Sequence, residues 1–127
     1  MKLCILIVED NQLNRELLRD WLEVEGYDVW SAVDLKDSYD AISKRLPDAV
    51  LLDVNLGKEN GLDLLAWMRQ KPEAREIPVI AVTAHALMAE QEQVLKAGCR
   101  AYLSKPINFQ KLKEELDRWL RDLKTSA

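Results

Sequence analysis

Only two cysteines, Cys4 and Cys99, occur in the 127 residues, and neither has a CxxC partner or a histidine near it. That excludes a disulfide framework and a thiolate metal site as organising features, and leaves both thiols as small packing residues. An excess of positive charge is also missing. Lys and Arg number 18 against 22 Asp and Glu, a net charge of −4, so the concentrated basic footprint of a nucleic-acid binder is absent. No apolar run approaches the roughly 18 residues of a membrane span. The N-terminal "MKLCILIVED" turns acidic too early for a signal peptide. No direct nucleic-acid contact, no membrane and a cytoplasmic location are therefore expected. Repeats, low-complexity segments and linkers are absent as well, which points to one domain over residues 1–127 with its core at about 3–123.

Apolar runs of strand length alternate with amphipathic stretches of helical length. "LCILIV" (3–8), "DVWSA" (28–32), "AVLLD" (49–53), "PVIAVT" (78–83) and "AYLS" (101–104) are the predicted strands. Helices are predicted over 12–25, 34–45, 61–71, 86–97 and 108–123, followed by a short "KTSA" tail. Gly26 and Gly98 stand where left-handed helix caps belong, and Pro47, Pro72 and Pro78 fall in connections. The first, third and fourth strands are almost entirely Val, Ile, Leu and Ala, as in a parallel sheet covered on both faces. Five βα units in succession predict a doubly wound α/β domain.

Ligands of such sheets bind beyond the carboxyl ends of the strands. Those ends supply Glu9, Asp10 and Asn11 after the first strand, Asp53 at the close of the third, Thr83 at the close of the fourth, and Ser104, Lys105 and Pro106 after the fifth. Two carboxylates about 4 Å apart repel by roughly 4 kcal/mol at an effective dielectric of about 20. Three of them on one rim therefore require positive charge. Lys105 offsets one, and a hard divalent cation with oxygen ligands, Mg²⁺, suits the remainder.

The fragments "ILIVEDN", "LLDVNLGKENG", "IAVTAHA" and "AYLSKPIN" together resemble the receiver domain of two-component response regulators, in order and over essentially the whole chain. The resemblance implies a (βα)5 flavodoxin-like fold with strand order 2-1-3-4-5. It implies a phosphorylation switch, not a metabolic enzyme, which accepts a phosphoryl group on Asp53 from a histidine kinase or histidine phosphotransfer protein. It further implies Mg²⁺ held by Asp10, Asp53, the Asn55 carbonyl and, through water, Glu9. Thr83 and Lys105 would contact the phosphoryl group, Tyr102 would report the state of the site, and a downstream protein would read the result. One departure from the family pattern stands four residues after Asp53, where Gly57 replaces the usual proline and suggests a more mobile loop.

Several residues admit two readings. Thr83 could cap the following helix, Lys105 could be a solvated turn residue, and Tyr102 a half-buried packing aromatic. His85, the lone histidine, is either a surface loop residue or a modulator of dephosphorylation. Trp21, Trp67 and Trp119 read as core-edge residues, with Trp30 less defined. On the first helix Leu18, Leu22 and Trp21 share one sector, while Leu13, Leu17 and Val24 form a second stripe. Leu13 and Leu17, with Pro106, are either buried or a docking patch for the phosphodonor. Rival classes fit worse: a flavin carrier needs a Ser/Thr/Gly-rich loop where "EDNQLN" stands, and a haloacid-type phosphatase places its Asp-x-Asp pair after the first strand. The chain reads as a stand-alone regulator or relay, or as the receiver of a hybrid kinase.

Overall fold

The computed structural model describes residues 2–84 and 88–126. Among these described residues, seven strands and five helices follow in the order β1 (Cys4–Val8), α1 (Gln12–Val24), β2 (Asp28–Ala32), α2 (Leu35–Lys44), β3 (Ala49–Asp53), β4 (Asn55–Leu56), β5 (Glu59–Asn60), α3 (Leu62–Arg69), β6 (Val79–Thr83), α4 (Met88–Lys96), β7 (Ala101–Ser104) and α5 (Phe109–Ser126). Five of the strands form one parallel sheet in the order β2-β1-β3-β6-β7. Counting only those five, this is the expected 2-1-3-4-5 arrangement.

Strand residues alternate between two cores because successive side chains point to opposite faces. Ile5, Ile7, Leu51, Ile80 and Val82 pack beneath α1 and α5, against Leu18, Leu22, Leu112, Leu116 and Leu120. Leu6, Val8, Val50, Leu52 and Ala81 face the other way, onto Leu35 and Ile42 of α2, Leu64, Leu65 and Met68 of α3, and Val94 of α4. The three α5 leucines recur once per turn and are fully buried; each contributes roughly 1.5–3 kcal/mol of burial. Both cysteines are buried, Cys4 in β1 and Cys99 among the α4 contacts. Burial pushes their thiols up, Cys4 to about 11 and Cys99 to about 12.

Helix ends follow local chemistry. Asn11 caps α1 by accepting from the Asn14 N–H, and Asp34 caps α2 by accepting from the Asp37 N–H. Gly26 and Gly98, at φ of +98° and +110°, close α1 and α4. In each case the glycine and the residue after it donate back into the last turn: Gly26 N–H to Glu23 and Tyr27 N–H to Leu22, Gly98 N–H to Leu95 and Cys99 N–H to Val94. Two departures from expectation exceed a residue or two at an element's end. α5 runs on to Ser126, through most of the predicted tail, and the β3–α3 connection contains the small antiparallel pair β4–β5 instead of an open loop. The expected start of α4 at 86, and His85, lie outside the described residues.

Candidate functional site

The sheet register aligns the carboxyl ends. Val8 pairs with Leu52, Asp53 with Val82 and Thr83 with Ser104, so residues from four strands meet on one rim. Glu9 is only 2% exposed and Asp53 5%, although both are carboxylates. Lys105 answers both: its Nζ donates to Glu9 Oε1 at 2.9 Å and to Asp53 Oδ2 at 2.8 Å. Asp53 Oδ1 accepts the Asn55 N–H at 2.9 Å. Asp10 is exposed, and one carboxylate oxygen from each of Glu9, Asp10 and Asp53 lies within 4.8 Å of the others.

This crowding shows in the protonation of the site. Burial pushes the Glu9 carboxyl above its ordinary range and the neighbouring Asp53 adds to the rise, with Lys105 opposing both. Burial alone would depress the Lys105 ammonium; its hydrogen bonds to Asp53 and Glu9 outweigh that and hold it above its usual value. One ammonium against three carboxylates leaves uncompensated negative charge, and an all-oxygen donor set suits a hard cation of the Mg²⁺ kind.

The sequence-predicted residues gather as follows. Thr83 is buried at the end of β6, and its Oγ1 accepts from Asn55 Nδ2 at 3.3 Å. Lys105 N–H donates to the Thr83 carbonyl at 2.8 Å, which ties the β7 exit to the β6 exit. Tyr102, opposite Ala81 in the sheet, is half-buried and packs on the α2–α4 side of the core. Leu13 and Leu17 point away from the core, 64% and 53% exposed, whereas Leu18 and Leu22 of the other sector are buried. Beside the acidic rim, Leu17, Leu18, Pro106, Ile107 and Phe109 line an apolar groove of about 190 Å³ that Glu9, Asn14 and Lys105 complete. Trp21, Trp67, Trp119 and Trp30 are all half-buried.

Other participants were not foreseen. Arg15 Nη1 donates to the Glu9 carbonyl at 3.0 Å and, at 3.4 Å, to that of Asp10, bracing the acidic turn from the first turns of α1. Its place six residues beyond Glu9 was the available signal. Gly57, at φ +60°, stands first in the two-residue turn joining β4 to β5, a backbone region glycine enters without strain. The connection in which Gly57 suggested a more mobile loop contains a paired hairpin, with Asn55 opposite Asn60 and Leu56 opposite Glu59.

Residues 5–117 match the family model of the response regulator receiver domain. The chain belongs to that family. The receiver is 38% identical over 118 residues to the polar-differentiation response regulator DivK of Brucella anthropi, covering 93% of this chain and 96% of that protein. It superposes with a TM-score of 0.90 on a chain from Chloroflexus aurantiacus assigned as a response regulator, at 30% identity over 95% of this chain and 99% of that one. A TM-score of 0.86 relates it to the receiver domain of the sensor histidine kinase PA1611 of Pseudomonas aeruginosa, at 32% identity, covering 94% and 98% of the two chains. That structure holds a magnesium ion in its active-site cleft. Membership makes phosphorylation-dependent signalling the receiver's class of function. Among the described residues no helix is long and apolar enough to cross a membrane.

Proposed function

We propose that the receiver takes a phosphoryl group from a phosphohistidine onto Asp53 and releases it slowly to water. The observation that carries this reading is the Lys105 ammonium bridging Glu9 and Asp53 at one end of an acidic cluster. The Asp53 carboxylate attacks phosphorus in line with the departing imidazole; the P–N bond breaks as the P–O bond forms, and the imidazole takes up a proton from solvent. Such transfer needs positioning and charge neutralisation more than covalent help. Asn55 N–H and Lys105 Nζ fix one Asp53 oxygen each. Lys105 and the Thr83 hydroxyl then bind the phosphoryl oxygens.

Asp10, Asp53 and the Asn55 carbonyl would hold Mg²⁺ directly, with Glu9 acting through water. Bound there, the ion would neutralise charge on the phosphoryl oxygens. Thr83 turns from Asn55 Nδ2 toward the phosphoryl group, and Tyr102 in the neighbouring strand follows, altering the surface offered to a downstream protein. Leu13, Leu17 and Pro106 receive the helices of a histidine kinase or phosphotransfer protein. The setting is cytoplasmic.

Intact mass after incubation with acetyl phosphate and Mg²⁺ tests the reading. The parent gains one hydroxylamine-labile phosphoryl group and Asp53→Asn gains none; labelling that survives in Asp53→Asn overturns the assignment.

A further inference from the structure

The β4–β5 hairpin is fastened at more points than its two pairs of strand residues require. Its first residue, Asn55, is held by its N–H on Asp53 Oδ1 and by its side chain on Thr83 Oγ1. Its last, Asn60, accepts the Leu62 N–H at 3.0 Å and so joins the start of α3. Its turn lies against the acidic cluster, since an atom at the Cβ position of Gly57 would stand 3.6 Å from Asp10 Oδ2. The remaining fastening is long-range: Glu59 Oε1 accepts the N–H of Leu35 at 3.1 Å, the first residue of α2. Asp34 already occupies the Asp37 N–H, so Glu59 satisfies a different orphan donor of the same helix end, where a carboxylate is also favoured by the helix dipole.

We propose that Glu59 is a positioning residue for the Mg²⁺ site: by bonding to the α2 N-terminus it fixes the strand opposite Leu56, and through the hairpin it fixes the Asn55 carbonyl. This rests on the proposed reading of Asn55 as a metal ligand and deepens it. Two residue pairs alone make a weak clamp. Outer contacts that orient a ligand are typically worth 10- to 100-fold in metal affinity. Because Glu59 acts through the hairpin, the lower end of that range is expected.

Calorimetric titration of the phosphate-free protein with MgCl₂ decides the matter, using the parent, Glu59→Ala, Glu59→Gln and Asp34→Ala. Glu59→Ala should weaken Mg²⁺ binding by about tenfold and accelerate hydrogen exchange at the Leu35 amide. Glu59→Gln, which keeps an acceptor oxygen but not the charge, should restore binding to within about twofold of the parent, a small fraction of the outer-contact range. Asp34→Ala removes a cap from the same helix without touching the hairpin, so it should lower the melting temperature and leave Mg²⁺ affinity alone. Equal weakening in Glu59→Ala and Glu59→Gln would assign the effect to bulk charge, and equal weakening in Asp34→Ala would assign it to loss of α2; either overturns the proposal, as does unchanged binding in Glu59→Ala. A parent that binds no Mg²⁺ brings down the metal site itself, and the proposal with it.

Discussion

Lys105 meets two buried carboxylates with one charge, and the consequences differ by partner. Removing the lysine, as in Lys105→Met, leaves Glu9 and Asp53 desolvated with no cation. In metal-free buffer at neutral pH, denaturant unfolding should show a loss of roughly 3 kcal/mol, the low end for a broken buried pair because the ammonium is partly solvated. Adding Asp53→Asn to that variant should recover much of the loss, since the two changes share one network. Glu9 behaves unlike most acids. Its carboxyl is held above its ordinary value, so the fold favours its protonated form; that contribution is present below its unfolded value of about 4.5 and is lost as pH rises through the folded value. Glu9→Gln should therefore gain stability relative to the parent as pH is raised from about 4 toward 7 in chelator, the window set by the carboxyl's ordinary value and its upward shift. A parallel pair of stability curves would show that Glu9 titrates normally.

At the scale of the element, α1 carries two stripes with different fates. Leu18 and Leu22 are in the core, and Leu13 and Leu17 are in solvent beside the groove at Pro106. Burying one leucine against a partner is worth roughly 1.5–3 kcal/mol, about ten- to a hundredfold in affinity. Leu17→Asp should reduce phosphotransfer from a histidine phosphotransfer protein by about that factor, while labelling by acetyl phosphate and thermal unfolding stay near the parent. Early melting would return Leu17 to a structural role. Four of the five sheet strands, β1, β3, β6 and β7, were legible as short apolar runs closed by a polar residue, and Glu9, Asp10, Asp53, Thr83 and Lys105 were legible because a parallel sheet carries its exits to one rim. The β4–β5 hairpin was not. Two residues per strand show no periodicity, and neither Asn nor Glu signals a strand. The bond from Glu59 to Leu35 joins residues 24 apart, which no local pattern encodes. The end of α5 was missed for a milder reason: Lys124, Thr125 and Ser126 carry no helix stop, so the helix simply continues.

For the molecule as a whole, a ligand that binds only the folded chain raises its stability by mass action. Saturation with Mg²⁺ at a hundred times its dissociation constant should add about 2.7 kcal/mol to the parent, read as a rise in melting temperature that EDTA reverses. Asp10→Asn should lose most of that rise. The order of the sheet adds a temporal side to the same rim. β2, β1 and β3 are adjacent in space and finished by residue 53, whereas β6 and β7 add later and on one side only. As the chain is synthesised from its N-terminus, Glu9, Asp10 and Asp53 thus exist well before Lys105. A half-made sheet would gather three mutually repelling carboxylates before the Lys105 ammonium exists to bridge two of them. The strand that completes the sheet edge is followed at once by Lys105, whose ammonium answers Glu9 and Asp53 in the finished fold.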